Sequence, residues 1–342
     1  MSKYGLKSVN LALQGGGSHG AFTWGVLNSL LEDTRLDIEA VSGVSSGAMN
    51  ACILASGLLN GDVEEAKRSL TSFWQAVSAK YSDLFESNPV AMWKKAAGFD
   101  SFGSMDTYLS LTQTFSPYQL NPFNLNPLRD ILNEQIDFEL IRNKCPIKLY
   151  IGATAVKTGK MRVFTNAEIT ADVLLASACL PAFHHAIEID GEPYWDGAFS
   201  GNPPLFPLVF NSEYPDVIVV MLQPLLRESI PKTAEEIQKR SHELMFTNTF
   251  LREMRAIALS KEQIKKDWMM SGSLEKKMSR LNVHIIEDGS FEKLDASTRY
   301  SADSRLIEDL CSRGYTSSNE WLTKNYRSIC KRSSVDLKEL FA

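Results

Sequence analysis

The chain has 342 residues, 44% hydrophobic and 23% charged, with a formal net charge of -5. That length and composition suit one large α/β domain with a substantial core, and the acidic balance without basic blocks excludes nucleic-acid binding or strong attraction to anionic lipid driven by bulk charge. Five scattered cysteines, Cys52, Cys145, Cys179, Cys311 and Cys330, lack metal-ligand spacing and predict reduced thiols with no disulfide framework.

Residues 1–7 lead into an apolar strand at 9–13 without a signal-peptide pattern, so Sec-type export is not expected. The strand ends in a glycine turn, Gly15-Gly16-Gly17-Ser18-His19-Gly20, which satisfies G-x-G-x-x-G. In a dinucleotide-binding fold an acidic residue would close the next strand and hold the ribose. Here Asp37 and Glu39 open that strand, and Ser42-Gly43-Val44-Ser45 closes it, so the glycines read better as backbone donors for an oxyanion.

The strand closes in Gly43-Val44-Ser45-Ser46-Gly47, a G-x-S-x-G elbow. Such a turn holds a serine at the N-terminus of the next helix, where free N–H groups and the helix dipole favour negative charge. Ser45 is the predicted nucleophile, and Ser46 contributes a backbone N–H and possible pocket lining. The apolar run from 48 to 59 is too short to span a bilayer and predicts the helix behind the nucleophile.

Residues 81–127 form the least regular stretch, punctuated by Pro and Asn and rich in aromatics including Tyr81, Phe85, Trp93, Phe99, Phe102, Tyr108, Phe115, Tyr118 and Phe123. A connection of this length is either a lid over an apolar pocket or an added layer of core. A hairpin-like segment over 186–193 then leads to Tyr194-Trp195-Asp196-Gly197-Ala198. Asp196 is the candidate proton acceptor, since a carboxylate on a turn beside glycine can approach a serine closely and gains basicity from partial burial.

These motifs, in this order, resemble those of the patatin-like phospholipases over roughly residues 8 to 210; Leu149-Tyr150-Ile151-Gly152-Ala153-Thr154 looks like the family's central strand, residues 176–183 like its helix before the aspartate, and Asn202-Pro203-Pro204 extends the likeness. The resemblance implies a three-layer α/β fold with a central, mostly parallel sheet flanked by helices. It also implies a metal-independent and cofactor-free lipid acyl hydrolase in which Ser45 and Asp196 act as a dyad, with Gly15, Gly16 and Gly17 as the oxyanion loop. His19 stands where many relatives carry Arg or Lys; the expectation is that it lines the pocket and, when protonated, tunes the oxyanion loop or meets an anionic headgroup. Alternatives are an esterase or acyltransferase on a non-phospholipid ester, and a nucleotide-binding or scaffold protein retaining the fold.

A Ser-Asp-His order would need His242 or His284, which sit in a long helical pattern and a strand and read as structural; His184 and His185 could line the pocket. Downstream, residues 217–221 predict a buried strand and 234–266 a helix with Ile237, Leu244, Leu251, Met254 and Ala258 on its packed face. Helices at about 304–311 and 317–326 complete the same domain over 211–330, and the charged tail after Ile329 is expected to be mobile. The expected setting is cytoplasmic, with at most peripheral membrane contact, an acyl-ester substrate and no nucleic acid; export by a dedicated non-Sec machinery stays open.

Overall fold

A computed structural model describes residues 5–86, 111–227, 230–266 and 272–342. Among these residues, eight strands form one sheet: β1 Lys7–Leu13, β2 Leu36–Gly43, β3 Lys148–Ala155, β4 Met161–Thr165, β5 Ile187–Ile189, β6 Glu192–Asp196, β7 Asp216–Val220 and β8 Asn282–Ile286. The order is β5-β6-β3-β2-β1-β7-β8, with β4 also paired to β3. The stretch from β3 to β8 is parallel throughout. β4 and β6 run antiparallel to β3, and β5 antiparallel to β6.

The sheet is covered on both faces, which is why its parallel strands read as near-continuous apolar runs such as Val217 to Val220. Successive side chains point to opposite faces. Val9, Leu11 and Leu13 pack with helices α1 Gly20–Glu32, α2 Ser46–Asn60 and α3 Val63–Glu86. Ala12, Val217 and Val219 face the other way, onto Phe250, Met254 and Ile257 of the Ala234–Lys266 helix. This is a three-layer α/β fold with a mixed, mostly parallel sheet.

The topology brings the two glycine motifs together. β1 and β2 are parallel neighbours with Leu13 opposite Gly43, so the turns after them emerge side by side at the carboxyl ends of the strands, where open α/β sheets bind ligands. Gly43 is also opposite Ile151 of β3, and Ala153 is opposite Asp196 of β6. Two residues past Gly43, Ser45 therefore stands level with Asp196.

The structure departs from the sequence expectations at four places. The helix before Asp196 is Ala171–Ser177, earlier than 176–183, because Thr170 caps its N-terminus and the chain turns after Ala178. The two helices predicted near the C-terminus are a single one, Ser304–Asn325; the Ser- and Gly-containing stretch that suggests a break is held helical where Gly314 packs on the backbone of α1. The packed face of Ala234–Lys266 includes Glu243, Thr247 and Phe250, whereas Ile237 and Leu244 are exposed; buried ion pairs and hydrogen bonds let polar residues occupy that face. The tail is ordered: Leu337–Phe341 is helical, and Phe341 packs edge-on against Phe250 at 6.0 Å. Of the stretch 81–127, residues 87–110, with Trp93, Phe99, Phe102 and Tyr108, lie outside the described residues. No helix among the described residues is long and apolar enough to cross a membrane.

Candidate active site

Ser45 caps α2 with φ 53° and ψ -128°, the strained left-handed geometry of a nucleophile elbow. Close packing produces it: a Cβ on Gly43 would meet the Gly47 carbonyl carbon at 2.7 Å, and one on Gly47 would meet the Leu13 oxygen at 2.2 Å. The Ser45 N–H donates to Ser177, to its carbonyl at 3.1 Å and its Oγ at 3.0 Å. Ser177 thus locks the elbow from behind, although no local pattern in the sequence marks it.

Asp196 is almost fully buried, and its carboxyl lies beside the Ser45 side chain, which helps to hold its pKa down. Its Oδ1 accepts the Ala198 N–H at 2.8 Å. Burial dominates and pushes the carboxyl from its ordinary 3.8 up to about 7, against the opposing pull of the Ala198 N–H and the Ser45 side chain. Gly197 makes the approach possible, since a Cβ there would lie 2.3 Å from the Gly152 oxygen and 2.6 Å from Val44. Among the described residues no histidine hydrogen-bonds Ser45 or Asp196. His242 is exposed, and His284 is buried on the β8 strand with its Nε2 3.0 Å from Asp216 Oδ1. His184 lines the cavity, and its basicity is lowered by burial and then by His185. His185 stacks on Tyr118 at 4.0 Å.

The glycine loop is clamped by a residue that sequence reasoning placed only in a resemblance. Asn202 Oδ1 accepts the Gly15 N–H at 2.6 Å, and its Nδ2 donates to the Gly15 oxygen at 3.2 Å. Gly15 is thereby committed to holding the loop, and its amide is not free for an oxyanion. The Gly16 N–H donates to Ser46 Oγ at 3.1 Å, a contact a substrate oxygen could replace. Gly17, at φ 61°, has an amide without a partner among the described residues.

His19 does not carry the role expected of it. It is buried, its Nε2 2.8 Å from Thr298 Oγ1 and its ring 5.2 Å from Phe291, and it is absent from the cavity wall. Burial, then the charges of Arg299 and Lys239, lower its pKa to about 3, so it is neutral at physiological pH. The cation that does border the loop is Arg299, from a segment 280 residues further along the chain.

Ser45 and Asp196 open into a cavity of about 710 Å³, within the usual size for small-ligand sites. The glycine loop, Ser45, Ser46 and Asp196 line one end, with Arg299 and Tyr300. Met49, Phe73, Trp74, Val77, Leu120 and Leu125 make much of the rest apolar. Cys179 lies nearby, but burial, then the Asp196 charge, push its thiol up to about 12, which removes it as a competing nucleophile. Among the described residues no cluster of His, Cys, Asp or Glu is placed to hold a metal ion.

The family model for patatin-like phospholipases matches residues 11–209. No curated protein matches the chain. Among solved structures, the crystal structure of VipD from Legionella pneumophila is similar over 94% of this chain and 68% of that one, with 14% sequence identity and a TM-score of 0.41.

Proposed function

The chain belongs to the patatin-like phospholipase family, and from that premise we propose that it is a lipid acyl hydrolase of the phospholipase A or lysophospholipase type, with Ser45 as nucleophile and Asp196 as base. Family membership carries the general activity, hydrolysis of lipid acyl esters. The observation that carries the mechanism is the buried Asp196 carboxyl beside Ser45 at one end of an apolar cavity, with no histidine among the described residues hydrogen-bonded to either.

A carboxyl that titrates near 7 is suited to general-base work at neutral pH, because it is ionised in a large fraction of molecules and still basic enough to take a proton in the transition state. Asp196 accepts the Ser45 proton as Oγ attacks the ester carbonyl. The tetrahedral oxyanion is met by the Gly17 amide and by the Gly16 amide as it leaves Ser46 Oγ. Asp196 then returns the proton to the departing alcohol, and water, activated by the same carboxylate, releases the fatty acid from the acyl-enzyme. The apolar wall from Met49 to Leu125 suits a hydrocarbon chain. The test is hydrolysis of a panel of phospholipids and lysophospholipids with Ser45→Ala as control. Fatty acid release by the wild type alone supports the reading, and equal release by Ser45→Ala refutes it. An acyltransferase would instead pass the acyl group to added glycerol in preference to water.

A further inference from the structure

Beside the glycine loop stands a guanidinium that the hydrolytic mechanism does not use. Arg299 lines the cavity, and its backbone abuts Gly17, where a Cβ would lie 2.2 Å from the Arg299 oxygen. Its side chain is 14% exposed, and its Nε is buried without a partner. The nearest carboxylate, Glu243, is 3.7 Å from Arg299 Nη2 and is already taken. Arg227 grips it in a fork, at 2.5 Å and 2.9 Å, and Arg240 stands 3.4 Å away. Glu292 adds one more negative charge at 3.9 Å from Arg227. Of the three arginines around Glu243, Arg299 is the least closely held, and it is the one that lines the cavity.

A largely buried guanidinium with an idle donor is costly unless something anionic completes its shell. Its planar fork matches a phosphate better than any neutral group, and Arg keeps its charge at every physiological pH. We propose that Arg299 is the specificity-determining residue of the acyl site, binding the phosphate of a glycerophospholipid or lysophospholipid whose acyl ester lies against Ser45. The inference rests on the acyl-hydrolase reading and narrows it to substrates with a phosphate a few bonds from the scissile ester. It also gives Arg299 the headgroup role that a neutral, buried His19 cannot fill.

The experiment compares the full chain and its Arg299→Gln and Arg299→Lys variants on a monoacylglycerol and on the lysophosphatidylglycerol with the same acyl chain. Loss of a charge-assisted contact predicts that Arg299→Gln loses at least about tenfold more kcat/KM on the phosphate-bearing substrate than on the neutral one, mainly through KM, with Arg299→Lys intermediate. Equal losses on both substrates mark a merely structural residue and overturn the proposal. Glycerol 3-phosphate and inorganic phosphate are then tested as competitive inhibitors of monoacylglycerol hydrolysis by the wild type, which needs no variant to fold. Inhibition by glycerol phosphate alone assigns the site to a lipid headgroup, inhibition by both assigns it to phosphate as such, and inhibition by neither overturns it. Calorimetry of glycerol 3-phosphate with the Ser45→Ala protein separates the two readings. Binding that Arg299→Gln abolishes, without hydrolysis of any ester, refutes the hydrolase reading alone; hydrolysis without binding or phosphate preference refutes the anion site alone.

Discussion

Replacing Asp196 with Asn should do two opposite things, and the same cause predicts both. The carboxyl is raised from 3.8 to about 7 by burial, so the folded protein holds its proton more tightly than the unfolded chain does. Stability from this group is complete below about pH 4 and is lost as pH rises through about 7, because the ionised form is the one the interior disfavours. The shift corresponds to about 4 kcal/mol in total, of which about 3 kcal/mol is lost between roughly pH 5 and pH 8.5. Asn mimics the protonated form and does not titrate. Urea melts at those two pH values should show wild type and Asp196→Asn much closer at the lower one, with the variant pulling ahead by about 3 kcal/mol at the higher. Turnover moves the other way: kcat/KM of the wild type should rise with pH and level off above about 7, while Asp196→Asn falls by at least about a hundredfold, the low end for general-base assistance. A stability gap between wild type and variant that is the same at both pH values, or a variant that keeps its turnover, would refute the argument that a buried, ionisable carboxylate is the base.

Further outcomes follow from neighbouring residues. Because His19 is neutral and hydrogen-bonded to Thr298, His19→Gln should keep the rate inflection near pH 7, whereas His19→Arg, adding a buried charge beside Arg299 and Lys239, should cost about 3 kcal/mol or more in urea melts. A shifted inflection in His19→Gln would show that the imidazole titrates after all. Ser46→Ala should keep activity within about threefold and lose about 1 kcal/mol of stability, since its hydroxyl only parks the Gly16 amide; a folded but inactive variant contradicts this. Gly314→Ala should lower thermal stability by about 1–3 kcal/mol with little change in specific activity, because its Cβ would lie 2.0 Å from the Phe22 oxygen across the contact with α1; a neutral result would mean the helices can part freely.

The motifs of the candidate site are legible in the sequence because close approach leaves a mark there. Gly43, Gly47 and Gly197 each stand where a Cβ would strike backbone or a packed side chain, so glycine at those spacings announces the elbow and the aspartate turn. The alternation of β1 and the apolar run of β7 are legible for a similar reason, since a sheet covered on both faces admits little else. What the sequence hides is set by contacts distant along the chain. Nothing local distinguishes Arg299 or Tyr300 from any surface pair, yet the fold carries them to the glycine-loop end of the cavity. Residue type alone suggests that His19 titrates near neutrality; its protonation is decided by burial and by Arg299 and Lys239, which only the structure brings near. Ser177 and Asn202 likewise act through long-range hydrogen bonds to Ser45 and Gly15.

Covalent labelling distinguishes a Ser45–Asp196 dyad from a triad that includes a histidine. The wild type and alanine variants of His184, His185, His242 and His284 are treated with a fluorophosphonate, and the adduct is mapped by mass spectrometry alongside ester turnover, with circular dichroism to confirm folding. The dyad predicts one adduct, on Ser45, in the wild type and in every folded histidine variant, with labelling slowed by at least about a hundredfold in Asp196→Asn. An adduct on another residue, or a folded histidine variant that neither labels nor turns over, would contradict it.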